Sequence, residues 1–129
     1  MNFSDKLDKA RRLLDAKGIS PSDSAPPLFR LLWRFGAEVP PPHFRSFAGN
    51  ALLMGGFFGV TWSIAMQALR LAGWLPQRHV LSTSQNIGLF AVMLLASGSL
   101  FGLAMAWHYH RGARRNAIPA WSDFHPAVE

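Results

Sequence analysis

Between Arg45 and Arg70 the chain carries no charged residue, and between Arg78 and Arg111 its only ionisable side chains are histidines and a tyrosine. A run such as Ser46 to Leu69, SFAGNALLMGGFFGVTWSIAMQAL, coiled at a rise of about 1.5 Å per residue, is long enough for a hydrocarbon core about 30 Å thick. A helix is also how such a segment satisfies its own backbone where water is absent. The sequence therefore predicts an all-α protein: a transmembrane hairpin of two helices, preceded by an N-terminal amphipathic helix and a short interfacial helix. The expected divisions are 1–45 for those helices and a proline spacer, 46–69 for the first span, and 70–84 for a short loop. The second span is expected over 85–110, and a basic tail over 111–129.

The formal net charge of +6 would suggest nucleic acid as a partner of a soluble protein, but here the basic residues flank the spans. Arg30, Arg34 and Arg45 stand before the first span and Arg111, Arg114 and Arg115 after the second, whereas the connecting segment has only Arg70 and Arg78. Positive charge is retained on the cytoplasmic side, so both termini are expected there, in a multi-pass bacterial inner-membrane protein that does not bind nucleic acid. The N-terminus opens with a charged segment and reaches its first long apolar run only at Phe47, which predicts an uncleaved anchor. With no cysteine, disulfides and thiolate chemistry are excluded.

Ser4 to Lys17 has helical spacing, with Phe3, Leu7, Ala10 and Leu14 on one face, Ser4 as expected cap and Gly18 as stop. SPSDSAPP, from Ser20 to Pro27, has the composition of a linker. In LFRLLWRF the residues Leu28, Leu31, Leu32 and Phe35 follow i, i+3, i+4, i+7. Phe29 and Trp33 widen that face, with Arg30 and Arg34 on the other side, as suits a helix lying on anionic headgroups. Pro40, Pro41 and Pro42 are expected to hold the chain extended. Membrane-interface roles are thus predicted for Arg30, Leu32, Trp33, Arg34, Trp107, Tyr109, Arg111, Arg114, Arg115 and Trp121, with the tail carrying Trp121 and Phe124 back to the interface.

Small residues recur every fourth position in the first span, at Ala51, Gly55, Gly59 and Ser63, and again at Gly98, Gly102 and Ala106. Membrane helices associate where small side chains let backbones approach, so these are the predicted helix-packing residues, either within one hairpin or with a partner or second copy. The spans offer no acid, lysine, arginine or cysteine, and their polar groups are Asn50, Thr61, Ser63, Gln67, Asn86, Ser97 and Ser99. That argues against a proton-coupled pump and against an enzyme. His108 and His110 lie about 200° apart on a helix and do not chelate together, so no metal, cofactor or catalytic residue is expected. The leading expectation is a non-catalytic accessory or adaptor protein. The alternative is a small oligomeric pore, disfavoured because Asn50 and Thr61 share a side while Gln67 lies about 120° from Thr61.

The runs APPLFRLLWRFGAEVPPPHF, NALLMGGFFGVTWS and GLAMAWHYHRGARRNAIPAWSDF resemble a family of small bacterial proteins, the domain of unknown function 6404. The resemblance spans nearly the whole chain. It implies a two-span inner-membrane protein of Gram-negative bacteria and brings no activity, cofactor or catalytic residue with it.

Overall fold

The structure is a computed structural model and describes residues 2–76 and 80–126. Arg78 and His79, and position 77 of the expected loop, lie outside the described residues. The described residues form five helices and no strand: α1 (Phe3–Ala16), α2 (Pro21–Ser24), α3 (Pro27–Arg34), α4 (Phe47–Leu71) and α5 (Thr83–Arg115). Short 3-10 turns occupy Pro42–Phe44 and Trp121–Asp123. The chain divides into two compact units, one built from its two ends (up to Phe47 and from His108) and one from Ala48–Trp107.

The Ala48–Trp107 unit is an antiparallel pairing of α4 and α5 made possible by missing side chains. A Cβ placed on Gly55 would stand 2.6 Å from the Gly98 carbonyl oxygen, and one on Gly102 would stand 2.5 Å from that of Ala51. On Gly59 it would meet the Leu94 carbonyl at 2.9 Å. The two small-residue stripes therefore face each other within one hairpin, where each backbone fills the space a side chain would otherwise take. Ser63 and Ala106 are fully buried. Farther along, Phe58 stacks on Phe101 with ring centroids 4.1 Å apart. Little else is covered: in the most apolar 18-residue windows of α4 and α5 only 22% and 6% is buried. Leu52, Leu95 and Leu100 remain 78%, 68% and 75% exposed. Both helices are long and apolar enough to cross a membrane.

The ends of these helices are set by local hydrogen bonds. Beyond α4, Gly73 at φ +80° lets Trp74 N–H donate to the Leu69 carbonyl at 3.0 Å while its own N–H donates to Arg70 at 3.1 Å, the Schellman arrangement. At the start of α5 the Ser82 hydroxyl accepts from Gln85 N–H at 3.2 Å, and the Gln85 side chain accepts from Ser82 N–H at 2.9 Å. This capping box starts the helix at Thr83, two residues before the expected boundary. The Arg70 guanidinium donates to Gln67 and to Asn86, tying the end of α4 to the start of α5. At its other end α5 continues to Arg115, past the expected limit of 110, because RGARR holds no proline, its one Gly112 weakens a helix without breaking it, and arginines suit a C-terminal turn. It closes like α4, with Ile118 N–H donating to Ala113 at 2.9 Å, but the left-handed position is held by Ala117 at φ 53° instead of a glycine.

The unit of the two chain ends has its own core. Leu7, Ala10 and Leu14 of α1 are buried, and Ala10 and Leu14 cluster with Phe44. Ile118, Trp121 and Phe124 of the tail pack against that cluster. Trp121 is its hub, with ring centroids 5.5 Å from Phe44 and 5.7 Å from Phe3, and the Lys6 ammonium 4.5 Å above its ring. Three local readings change. Asn2, not Ser4, caps α1 by accepting from Asp5 N–H at 2.8 Å. The linker composition hides the short helix α2, whose Pro21 sits where a helix tolerates proline. Pro41 is extended (φ −56°, ψ 152°), but Pro42 opens a 3-10 turn, since a proline at the first position forfeits no hydrogen bond.

Two outcomes follow for full-length protein in detergent, read as thermal unfolding. Gly55→Ile should destabilise the fold by about 1–3 kcal/mol or more through overpacking against backbone, whereas Gly56→Ile, with nothing within 4 Å of its added Cβ, should change it little. Ala117→Gly should stabilise by up to about 1 kcal/mol by relieving the left-handed conformation; a loss of stability would contradict that strain.

Candidate functional site

The 3-10 turn Pro42–Phe44 seats the His43 imidazole against the last turns of α5. His43 is buried at 5% exposure, and a Cβ on Gly112 would come within 3.2 Å of its Nε2, so glycine at 112 makes room for the ring. Tyr109 is buried at 1% exposure, with its ring edge-on to His43 at 5.3 Å and beside His108 at 5.2 Å. His108 Nε2 in turn lies 3.2 Å from Asp23 Oδ1, joining α5 to α2.

His43 Nδ1 is buried without a hydrogen-bond partner among the described residues. Burial is the main reason its pKa falls from 6.5 to about 4; the Asp23 carboxylate pulls it up in part and His108 pushes it down. The imidazole is therefore neutral near pH 7.

On the other side of the same turn a cavity of about 390 Å³ opens among His43, Arg45, Phe47, His110, Arg114 and Pro119. The Arg45 Nε is buried there without a partner, and burial lowers the pKa of its guanidinium. His110 stands edge-on to Phe47 at 6.0 Å. Among the described residues no three potential metal ligands converge.

The sequence-predicted interface residues fall into different surroundings. In α3, Leu31 and Phe35 are exposed, Leu32 and Trp33 half-buried, and Phe29 fully buried in protein. The Trp33 indole donates to the Val39 carbonyl at 2.6 Å, and Arg30 donates to the Ala25 carbonyl at 2.8 Å, so both side chains are partly engaged by their own chain. Trp107, Arg111, Arg114 and Arg115 are exposed. Tyr109 instead lies buried beside His43, and Trp121 lies in the aromatic core with α1. Residues 1–124 match the model of a family of unknown function, DUF6404. The chain belongs to that family. No curated protein and no solved structure matches it. The match takes in both the glycine hairpin and the His43 turn.

The histidine cluster and Arg45 were missed by sequence reasoning, which placed His43 only within a proline run. Its one signal is Pro41-Pro42-His43, since a proline that opens a 3-10 turn fixes where the next side chain points.

The pH dependence of folding has a defined sign. The unfolded chain takes up a proton on His43 near pH 6.5 and the folded chain only near pH 4, so stability is full above about pH 7 and declines as pH falls through that window. The loss is at most about 3 kcal/mol by pH 4. Subtracting the profile of His43→Gln from that of wild type isolates this contribution from Asp23 and His108; parallel profiles would show that His43 is not buried neutral.

Proposed function

We propose that this protein is a non-catalytic accessory or adaptor protein of the bacterial inner membrane, crossing it twice with both termini cytoplasmic. What supports membrane insertion is the outward apolar surface of α4 and α5: side chains such as Leu52, Leu95 and Leu100 have no protein over them, and in water that much apolar area strongly opposes solubility. The distribution of arginines around the spans gives the orientation.

The observation that carries the adaptor reading is an apolar groove of about 460 Å³ along the hairpin, lined by Leu52, Gly56, Val60, Leu95, Ser99 and Leu103. The stripe Gly55, Gly59, Gly98 and Gly102 is occupied by the hairpin's own pairing, and Gly55 and Gly98 also line this groove, so recognition of another protein falls to the groove's open side. Gly56 and Ser99 leave it free of bulky side chains, which lets a helix backbone come close and gain van der Waals contact in lipid. The occupant proposed is an apolar membrane helix of another protein. The pore reading is weaker, since Asn50 and Ser63 are buried and Thr61 is exposed, which leaves no continuous polar face.

A photoreactive residue at Leu103, in cells, should capture one dominant protein, and Gly56→Ile should abolish that capture while thermal unfolding stays as in wild type. Capture of lipid alone would overturn the adaptor role. For topology, a reporter active only in the periplasm should respond when fused at residue 77 and stay silent at either terminus; signal at the C-terminus would reverse the orientation.

A further inference from the structure

The cavity beside the Pro42–Phe44 turn has a chemistry that the accessory reading leaves unused. Arg45, Arg114, His43 and His110 all line it, and no carboxylate does. Arg45 carries the strongest argument. Its Nε is buried with no hydrogen-bond partner among the described residues while the residue as a whole is half-buried, and a buried donor left without an acceptor is costly. His43 adds a second buried nitrogen, Nδ1, also without a partner, on a ring 95% withdrawn from solvent. The Arg45 Nε–H needs an acceptor and His43 Nδ1 can donate in one tautomer, and an ordinary apolar filling accepts neither. Ser46 lines the same space together with Phe47, the first residue of α4.

We propose that this cavity binds a phosphate group, carried by a lipid headgroup or present as free inorganic phosphate. A phosphate offers several strong acceptor oxygens on one centre, which matches two arginines and two imidazoles converging from different elements. The volume of about 390 Å³ exceeds what one phosphate needs and leaves room for the glycerol portion of a headgroup. The neutral state of His43 suits the role as well, because a neutral imidazole can donate one hydrogen bond without adding a buried charge. The site itself does not depend on the adaptor reading; only the lipid source rests on membrane insertion.

The test uses full-length protein in a neutral maltoside micelle, titrated calorimetrically with sodium phosphate, with dihexanoyl-phosphatidylglycerol and with the matching diacylglycerol that lacks phosphate. Saturable binding of phosphate or of the phosphatidylglycerol is expected, with none of the diacylglycerol. Phosphatidylglycerol binding at least tenfold tighter than phosphate assigns the lipid headgroup; equal or weaker binding assigns the free anion. Arg45→Gln and Arg114→Gln should each weaken binding at least tenfold. Arg114 is exposed, so its variant keeps the experiment decisive if the Arg45 variant fails to fold. Arg115→Gln, which removes the same charge outside the cavity, should stay within twofold of wild type. The proposal is overturned by the absence of saturable binding of either phosphate compound, by equal binding of the diacylglycerol, by unchanged affinity in Arg114→Gln, or by an equal loss in Arg115→Gln.

Discussion

The contact on which the hairpin depends is backbone against backbone, where Gly55 meets Gly98 and Gly102. In water two apolar helices are driven together by burial of side chains, and large residues serve that best. Here most large apolar side chains point away from the partner helix, and the contact line is made of the smallest residues available. That inversion suits surroundings as apolar as leucine, where association relies on close dispersion contact and matched shape. Polar groups follow the same logic. The Ser97 hydroxyl returns to the Met93 carbonyl at 2.5 Å, satisfying itself within its own helix.

The unit formed by the chain ends obeys the opposite rule. Its core is made of large side chains: Leu14, Phe44, Trp121 and Phe124, with the amphipathic face of α1 laid over them. Lys6 illustrates how closely it is built, since its ammonium both lies over the Trp121 ring and donates to that residue's carbonyl at 3.0 Å. Residues separated by more than a hundred positions thereby share one core. The proline-rich segment contributes two distinct things to it, an extended stretch at Pro41 and a turn at Pro42 that delivers His43 and Phe44 as buried neighbours.

Much of this was legible because it is periodic. The face Leu7, Ala10 and Leu14, the two uncharged runs, and the four-residue spacing of the glycines all follow from local repeat patterns. What periodicity leaves open is the identity of the partner surface. Spacing alone makes Gly55 and Gly59 a contact stripe, but that the stripe meets Gly98 and Gly102 of the same chain depends on the pairing of α4 with α5. Tyr109 shows the same gap. An aromatic residue among arginines at the end of an apolar run reads as an interface anchor, yet its burial is decided by His43, 66 positions away in sequence. The start of α5 is a different case. Ser82 and Gln85 form a local signal that was present in the sequence, and the change from polar to apolar composition at Ile87 outweighed it.

The arginines near the two apolar helices differ in their surroundings. Orientation by positive charge needs only a count of basic residues within reach of the membrane, and any exposed arginine, such as Arg111 or Arg115, serves it. Arg45 does not suit that role alone, because a charge meant only to stay on the cytoplasmic side gains nothing from having its Nε withdrawn from water. Desolvating a guanidinium is justified energetically when something in the same place compensates, and its neighbours in the cavity are cations and imidazoles, which do not. The phosphate proposed for this cavity would supply that compensation.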